Sequence, residues 1–147
     1  MRLISNIAVT SALASLAFAA ETKVKMQDLP PAVQNAVKEQ TKNATLVGLS
    51  KETEKGQTVY EVETKVNGRT RDLLLDKTGT VIEVEEEVDL NSIPAAAKEA
   101  IQKKAAGAKI NKVETVTKGS TVSYEAAITK NGKKSEVAVN ADGSPHK

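Results

Sequence analysis

The stretch from Thr58 to Leu75, TVYEVETKVNGRTRDLLL, reads as a β-hairpin. Asn67-Gly68 is a preferred pair for a two-residue hairpin loop, because both residues tolerate the positive φ that such a loop needs. With that loop, Val66 pairs with Arg69. Counting back sets Val62 against Leu73 and Tyr60 against Leu75. Apolar residues then meet apolar residues on one face, and a one-residue slip would scramble the pattern. Glu61 falls on the other face, beside Leu74.

The same reading recurs from Val122 to Val139, VSYEAAITKNGKKSEVAV, at an offset of 64. Asn131-Gly132 is the loop, Ala126 faces Val137, Tyr124 faces Val139, and Glu125 lies beside Ala138. Working outward, the offset also places Pro30 over Pro94, Ala32 over Ala96, Ala36 over Ala100, Ala44 over Ala108, Thr53 over Thr117 and Gly79 over Gly143. From Asp28/Ser92 to Gly79/Gly143, 10 of 52 pairs are identical without a gap. Such self-similarity signals a duplicated supersecondary unit.

Each copy opens on a helix. Asp28 and Ser92 are suited to N-cap positions, and Pro30 and Pro94 to the first turn. Leu29, Val33, Ala36 and Val37 recur at helical spacing, as do Ile93, Ala97, Ala100 and Ile101. The helices are expected to end near Asn43 and Gly107. Strands are expected over Leu46 to Thr53 and Thr58 to Val66, and over Ile110 to Thr117 and Val122 to Lys130. Thr80 to Val88 reads as a further strand, with Glu83, Glu85 and Glu87 on one side as a charged, solvated face. The second copy ends too soon for a counterpart, so either its last strand keeps an open edge or the strand from Thr80 to Val88 serves both modules; the sequence does not decide between them. The expected fold class is α+β: two tandem modules, each with one helix packed on an antiparallel sheet of 3–4 strands. The expected division is a signal peptide at 1–19, module 1 at 20–89 and module 2 at 90–147.

The export expectation rests on Met-Arg, an uncharged run from Leu3 to Phe18 and Ala17-Phe18-Ala19 as a cleavage signature. The run is shorter than the roughly 20 apolar residues of a spanning helix, so no membrane span is expected after signal removal. The expected location is periplasmic or secreted. There is no cysteine, so neither disulfides nor thiol chemistry enters. Residues 21–89 carry 10 basic and 14 acidic side chains, and residues 90–147 carry 10 and 5. This polarity suits attraction between the halves or steering of a partner. After the signal only Tyr60 and Tyr124 remain as aromatics. Without a stacking platform or a concentrated basic face, nucleic acid is not an expected partner.

Catalytic chemistry finds little to stand on. His146 is next to last in the chain and reads as a solvated tail, which removes hydrolytic triads and histidine metal sites. No phosphate-binding glycine loop is present. Glu83, Glu85 and Glu87 could form at most a weak Ca²⁺ site. Glu61 and Glu125, identical in both copies, read as an inheritance of the duplication or as a repeated outer-face contact. The expectation is no enzyme, no cofactor, no metal and no catalytic residue, with the binding residues unassigned.

The run Leu-Pro, Ala-Val, Ala-Val, Asn-Ala-Thr-Leu, Val-Tyr-Glu-Val, Asn-Gly and Asp-x-x-Gly resembles the PepSY-like family. The second copy repeats it as Ile-Pro, Ala-Ala, Ala-Ile, Gly-Ala-Lys-Ile, Ser-Tyr-Glu-Ala, Asn-Gly and Ala-Asp-Gly. The family includes the tandem-repeat fold shared with a β-lactamase inhibitor protein, and PepSY domains occur in propeptides of thermolysin-type proteases. The resemblance implies an exported, non-catalytic interaction protein whose partner is an exported protein, for example an enzyme such as a protease that it restrains. The alternative is a structural or small-ligand/metal-binding envelope protein without an inhibitory role. A shared fold does not carry a shared target.

Overall fold

The computed structural model describes residues 21–147, so the expected signal at 1–19 lies outside the described residues. In chain order the elements are β1 (Thr22–Lys23), a 3₁₀ turn (Met26–Asp28), α1 (Pro31–Gln40), β2 (Thr45–Glu54), β3 (Gln57–Val66), β4 (Arg69–Asp76) and β5 (Val81–Glu87). A second 3₁₀ turn (Leu90–Ser92), α2 (Ala95–Lys104), β6 (Lys109–Lys118), β7 (Thr121–Lys130) and β8 (Lys133–Asn140) complete them. The strands form one antiparallel sheet of eight, in sequence order.

The hairpin register is as the loops dictate. Asn67 and Gly68 have φ of 52° and 81°, and Asn131 and Gly132 have 51° and 76°. Tyr60 pairs with Leu75 and Val62 with Leu73. Tyr124 pairs with Val139 and Ala126 with Val137.

The expectation of two modules, each a helix on its own sheet of 3–4 strands, is overturned. β5 pairs with β4, as in Asp72↔Glu85 and Leu74↔Glu83. It also pairs with β6, as in Glu85↔Val116 and Glu87↔Glu114. The physical reason is the edge: a strand with one neighbour exposes a row of unpaired N–H and C=O groups, and β6 satisfies that row on β5. The end of β5 stands to β6 as β1 stands to β2. Val24 N–H donates to the Leu49 carbonyl at 3.0 Å, and Val88 N–H to the Val113 carbonyl at 2.9 Å.

The helices also start later than expected. Asp28 and Ser92 end the 3₁₀ turns, and Pro30 and Pro94 occupy the N-cap positions. A residue preceding proline is pushed out of the helical region. Leu29 and Ile93 accordingly have ψ of 150° and 164°, so the helix cannot include them. The helices end at Gln40 and Lys104, short of Asn43 and Gly107.

The core has two parts on one face of the sheet. Leu29, Val33 and Val37 pack with Tyr60, Val62, Leu73 and Leu75. Ile93, Ala97 and Ile101 pack with Val113, Ala126, Ile128 and Val139, and Tyr124 is partly buried against them. Burial of these side chains is what holds two ten-residue helices that are too short to stand alone. The edge of β8 is partly covered by the C-terminus: Pro145 bridges Val139, and His146 N–H donates to the Ala138 carbonyl at 3.2 Å.

Each helix touches the turn that follows the third long strand of its half. Gly79 and Gly143 both have φ of +82°, and an added Cβ would sit 2.6 Å from the Ala32 carbonyl oxygen and 2.7 Å from that of Ala96. Strain and overlap therefore act together. Gly79→Ala and Gly143→Ala are each expected to destabilise the fold by about 2–4 kcal/mol, measured by urea unfolding. Gly56→Ala, with positive φ but open space around it, should have the smaller effect.

Candidate functional site

Both helices lie on the Tyr60 face, so among the described residues the opposite face carries no helix. The strand pairings place its residues in rows. One row runs Ser50, Glu61, Leu74, Glu83. The next runs Gly48, Glu63, Asp72, Glu85, Val116, Ser123. A third runs Glu87, Glu114, Glu125, Ala138. Glu136 faces Ala127. Three carboxylates thus stand directly opposite one another in Glu63, Asp72 and Glu85, and another three in Glu87, Glu114 and Glu125. Like charges facing across strands are destabilising, so this arrangement is not what stability alone would select.

Several of these groups are buried. Glu83 is 3% exposed, Glu114 7% and Glu125 5%. This corrects the reading of a solvated face at Glu83, while Glu85 and Glu87 are half-buried: β5 is a central strand. Cations answer some of the charge. Lys118 Nζ lies 2.6 Å from Glu83 Oε2, and Lys112 Nζ lies 2.6 Å from Glu114 Oε1. Burial opposes the charge on Lys112. The hydrogen bond to Glu114 and the carboxylates of Glu114, Asp72 and Glu85 outweigh it and hold the ammonium above its ordinary value. Asp72 is raised, chiefly by burial, although it accepts a hydrogen bond from Thr64 N–H at 3.1 Å. Lysines Lys65, Lys109 and Lys134 fall on the same face, at one end of the strands.

Glu61 and Glu125 lie beside Leu74 and Ala138, as the hairpin register requires. Both are pushed up to about 7. For Glu61 the cause is burial first, then the charges of Glu21, Glu63, Asp72 and Glu52. It accepts a hydrogen bond from the Ser50 hydroxyl at 3.2 Å. For Glu125 burial is again first, then Glu136, Glu83 and Glu114, with Lys118 acting the other way. Among the described residues, two clusters bring carboxylate oxygens within 4.8 Å of one another: Glu21, Glu61 and Glu63, and Asp72, Glu85 and Glu114. The ammonium of Lys112 already serves the second. Chemically, the face is an acceptor of positive charge.

His146 is not a loose tail. Its Nδ1 lies 2.8 Å from Asn140 Oδ1, on the outer edge of β8. Tyr60 belongs to the core. Sequence reasoning missed Glu63, Asp72, Glu114 and Lys112. The register that sets Tyr60 against Leu75 also sets Glu63 against Asp72, so that pair was available from the loop alone. Glu114 and Lys112 depend on the β5–β6 junction, which leaves no local mark.

Residues 32–85 match the family model of the peptidase propeptide and YPEB domain, PepSY. Such domains are extracellular. No curated protein matches the chain significantly. Among solved structures, a Bacteroides eggerthii protein provisionally described as periplasmic matches with a TM-score of 0.65 and 17% identity, covering 81% of this chain and 86% of that one. A BLIP-like protein from Bacteroides fragilis matches with a TM-score of 0.58 and 20% identity, covering 81% and 84%. A DUF2874 family protein from Bacteroides uniformis matches with a TM-score of 0.62 and 15% identity, covering 80% and 86%. At these identities the structures share the fold. Among the described residues, no helix is long and apolar enough to cross a membrane.

The raised carboxyls fix a pH dependence. Between the ordinary value of 4.5 and about 7, the folded chain holds protons at Glu61 and Glu125 that the unfolded chain releases. Stability therefore falls as pH rises through that window. Glu125→Gln should be more stable than the parent at pH 8, by about 1–3 kcal/mol, and the difference should shrink towards zero at pH 4. Urea unfolding at the two pH values checks this.

Proposed function

We propose, taking the chain as a PepSY-like protein, that it is an exported, non-catalytic binding protein whose acidic sheet face docks a protein with a basic surface. We further propose that binding restrains an exported enzyme, a protease being the first class to test. The observation that carries this reading is the row Glu63, Asp72, Glu85, in which like charges face one another on a sheet face that carries no helix among the described residues. A face held at a cost to the fold is one that a partner of opposite charge would relieve. The family's description as a peptidase propeptide domain and the fold shared with a BLIP-like protein both fit a protein-binding role. Neither names a target. The chain then divides as a signal at 1–19 followed by two halves, 20–89 and 90–147, that share the strand β5.

The test is retention of exported proteins from the source organism on the immobilised protein, with salt as the variable. A specific partner should be retained at low ionic strength and released as salt rises. It should be lost when Glu63, Asp72 and Glu85 are replaced together by Gln, Asn and Gln. If the retained protein is an enzyme, its inhibition should follow the same order of variants. Retention of no exported protein, with a thermal shift on Ca²⁺ alone, would replace this reading with that of a small-cation binder.

A further inference from the structure

We propose that Glu125, framed by Glu83, Glu114 and Glu136, is the anchor point on this face for one lysine or arginine side chain of a protein partner. The inference rests on the reading of the face as a protein-docking surface and names the feature that the partner must present.

Glu125 is 5% exposed and, among the described residues, forms neither an ion pair nor a hydrogen bond. A carboxylate so little exposed and without a cation beside it is costly, and the cost is relieved by a positive group brought to it. The lysines nearby are committed elsewhere, Lys118 to Glu83 and Lys112 to Glu114. Glu83 and Glu114, the carboxylates next to Glu125, thus each already carry a lysine. Glu125 stands opposite Glu114 on β6 and Ala138 on β8, and the charges of Glu136, Glu83 and Glu114 all act on it.

The kind of cation is set by what the face already accepts. Lys112 extends from β6 into the charges of Glu114, Asp72 and Glu85, so an ammonium on a long apolar stem is compatible with these rows. Beside Glu125 the chain has Ala138 and Ala127, where the first half has Leu74 and Glu63 beside Glu61. Small side chains leave room for the methylene stem of a lysine or arginine to lie against the sheet while its head meets the carboxylate. A divalent ion would want six to eight oxygens, and the two lysines already occupy Glu83 and Glu114.

The experiment uses the exported protein with hexalysine and hexaarginine peptides as probes, at pH 8 and low salt, read by calorimetry and by the side-chain carboxyl signals of ¹³C-labelled glutamate. Glu125→Gln should weaken peptide binding about tenfold, and peptide should lower the titration midpoint of the Glu125 carboxyl. Glu99→Gln removes the same charge from an exposed position on α2, on the other face, and should leave binding nearly unchanged. If both single variants weaken binding equally, or if Glu125 does not respond to peptide, the anchor is overturned. If that happens while the combined Glu63, Asp72 and Glu85 variant still abolishes binding, the docking face survives without this anchor. If the combined variant also binds as the parent does, the docking face falls with it. A Glu125 signal that moves with Ca²⁺ and not with peptide, or a concentration-dependent dimer that occupies the face, likewise overturns the proposal.

Discussion

The ladder between β5 and β6 is the constraint from which the rest follows. Its pairs run from Val84↔Thr117 to Glu87↔Glu114, and they convert two small halves into one sheet. A unit of about 60 residues buries too little surface to be more than marginal alone. Sharing a strand removes two exposed edges at once. It also fixes the relation of the two helices, which lie on the same face over separate parts of the core.

The same ladder makes the opposite face chemically unusual. It brings Glu85 against Val116 and Glu87 against Glu114, and it carries Lys118 to Glu83. Carboxylates that would have lain on a solvated edge become interior to a broad sheet. Lysines from β6 answer part of the charge, at Glu83 and Glu114. The hydrophobic face supplies stability. The acidic face draws on it, which is the usual relation between a scaffold and the site built on it.

Much of this was legible in the sequence. The loops Asn67-Gly68 and Asn131-Gly132 fix their hairpins residue by residue, because a two-residue loop admits one register. Glu61 and Glu125 were placed correctly on the face away from Tyr60 and Tyr124 for that reason. The helix starts were misread where two local rules compete: the capping preference of Asp28 and Ser92 gave way to the restriction that Pro30 and Pro94 impose on Leu29 and Ile93. The joining of the halves through Thr80 to Val88 was one of two open alternatives, and nothing local decided it. Alternating Val and Glu in β5 suits an edge strand and a central one equally well. Its pairing with β6 links residues about 30 positions apart, with no turn between them to set the register. The burial of Glu83, Glu114 and Glu125 follows from that pairing and stayed hidden with it.

Hydrogen exchange along β5 tests the single sheet most directly. In an antiparallel strand, successive N–H groups point to alternate sides, so an edge strand protects every second amide and a central strand protects all of them. Slow exchange is expected at Val84, Glu85 and Glu86 alike, in the same class as the core amides of β3 and β7. Protection at alternate positions only, or release of one half while the other stays protected, would contradict the single sheet.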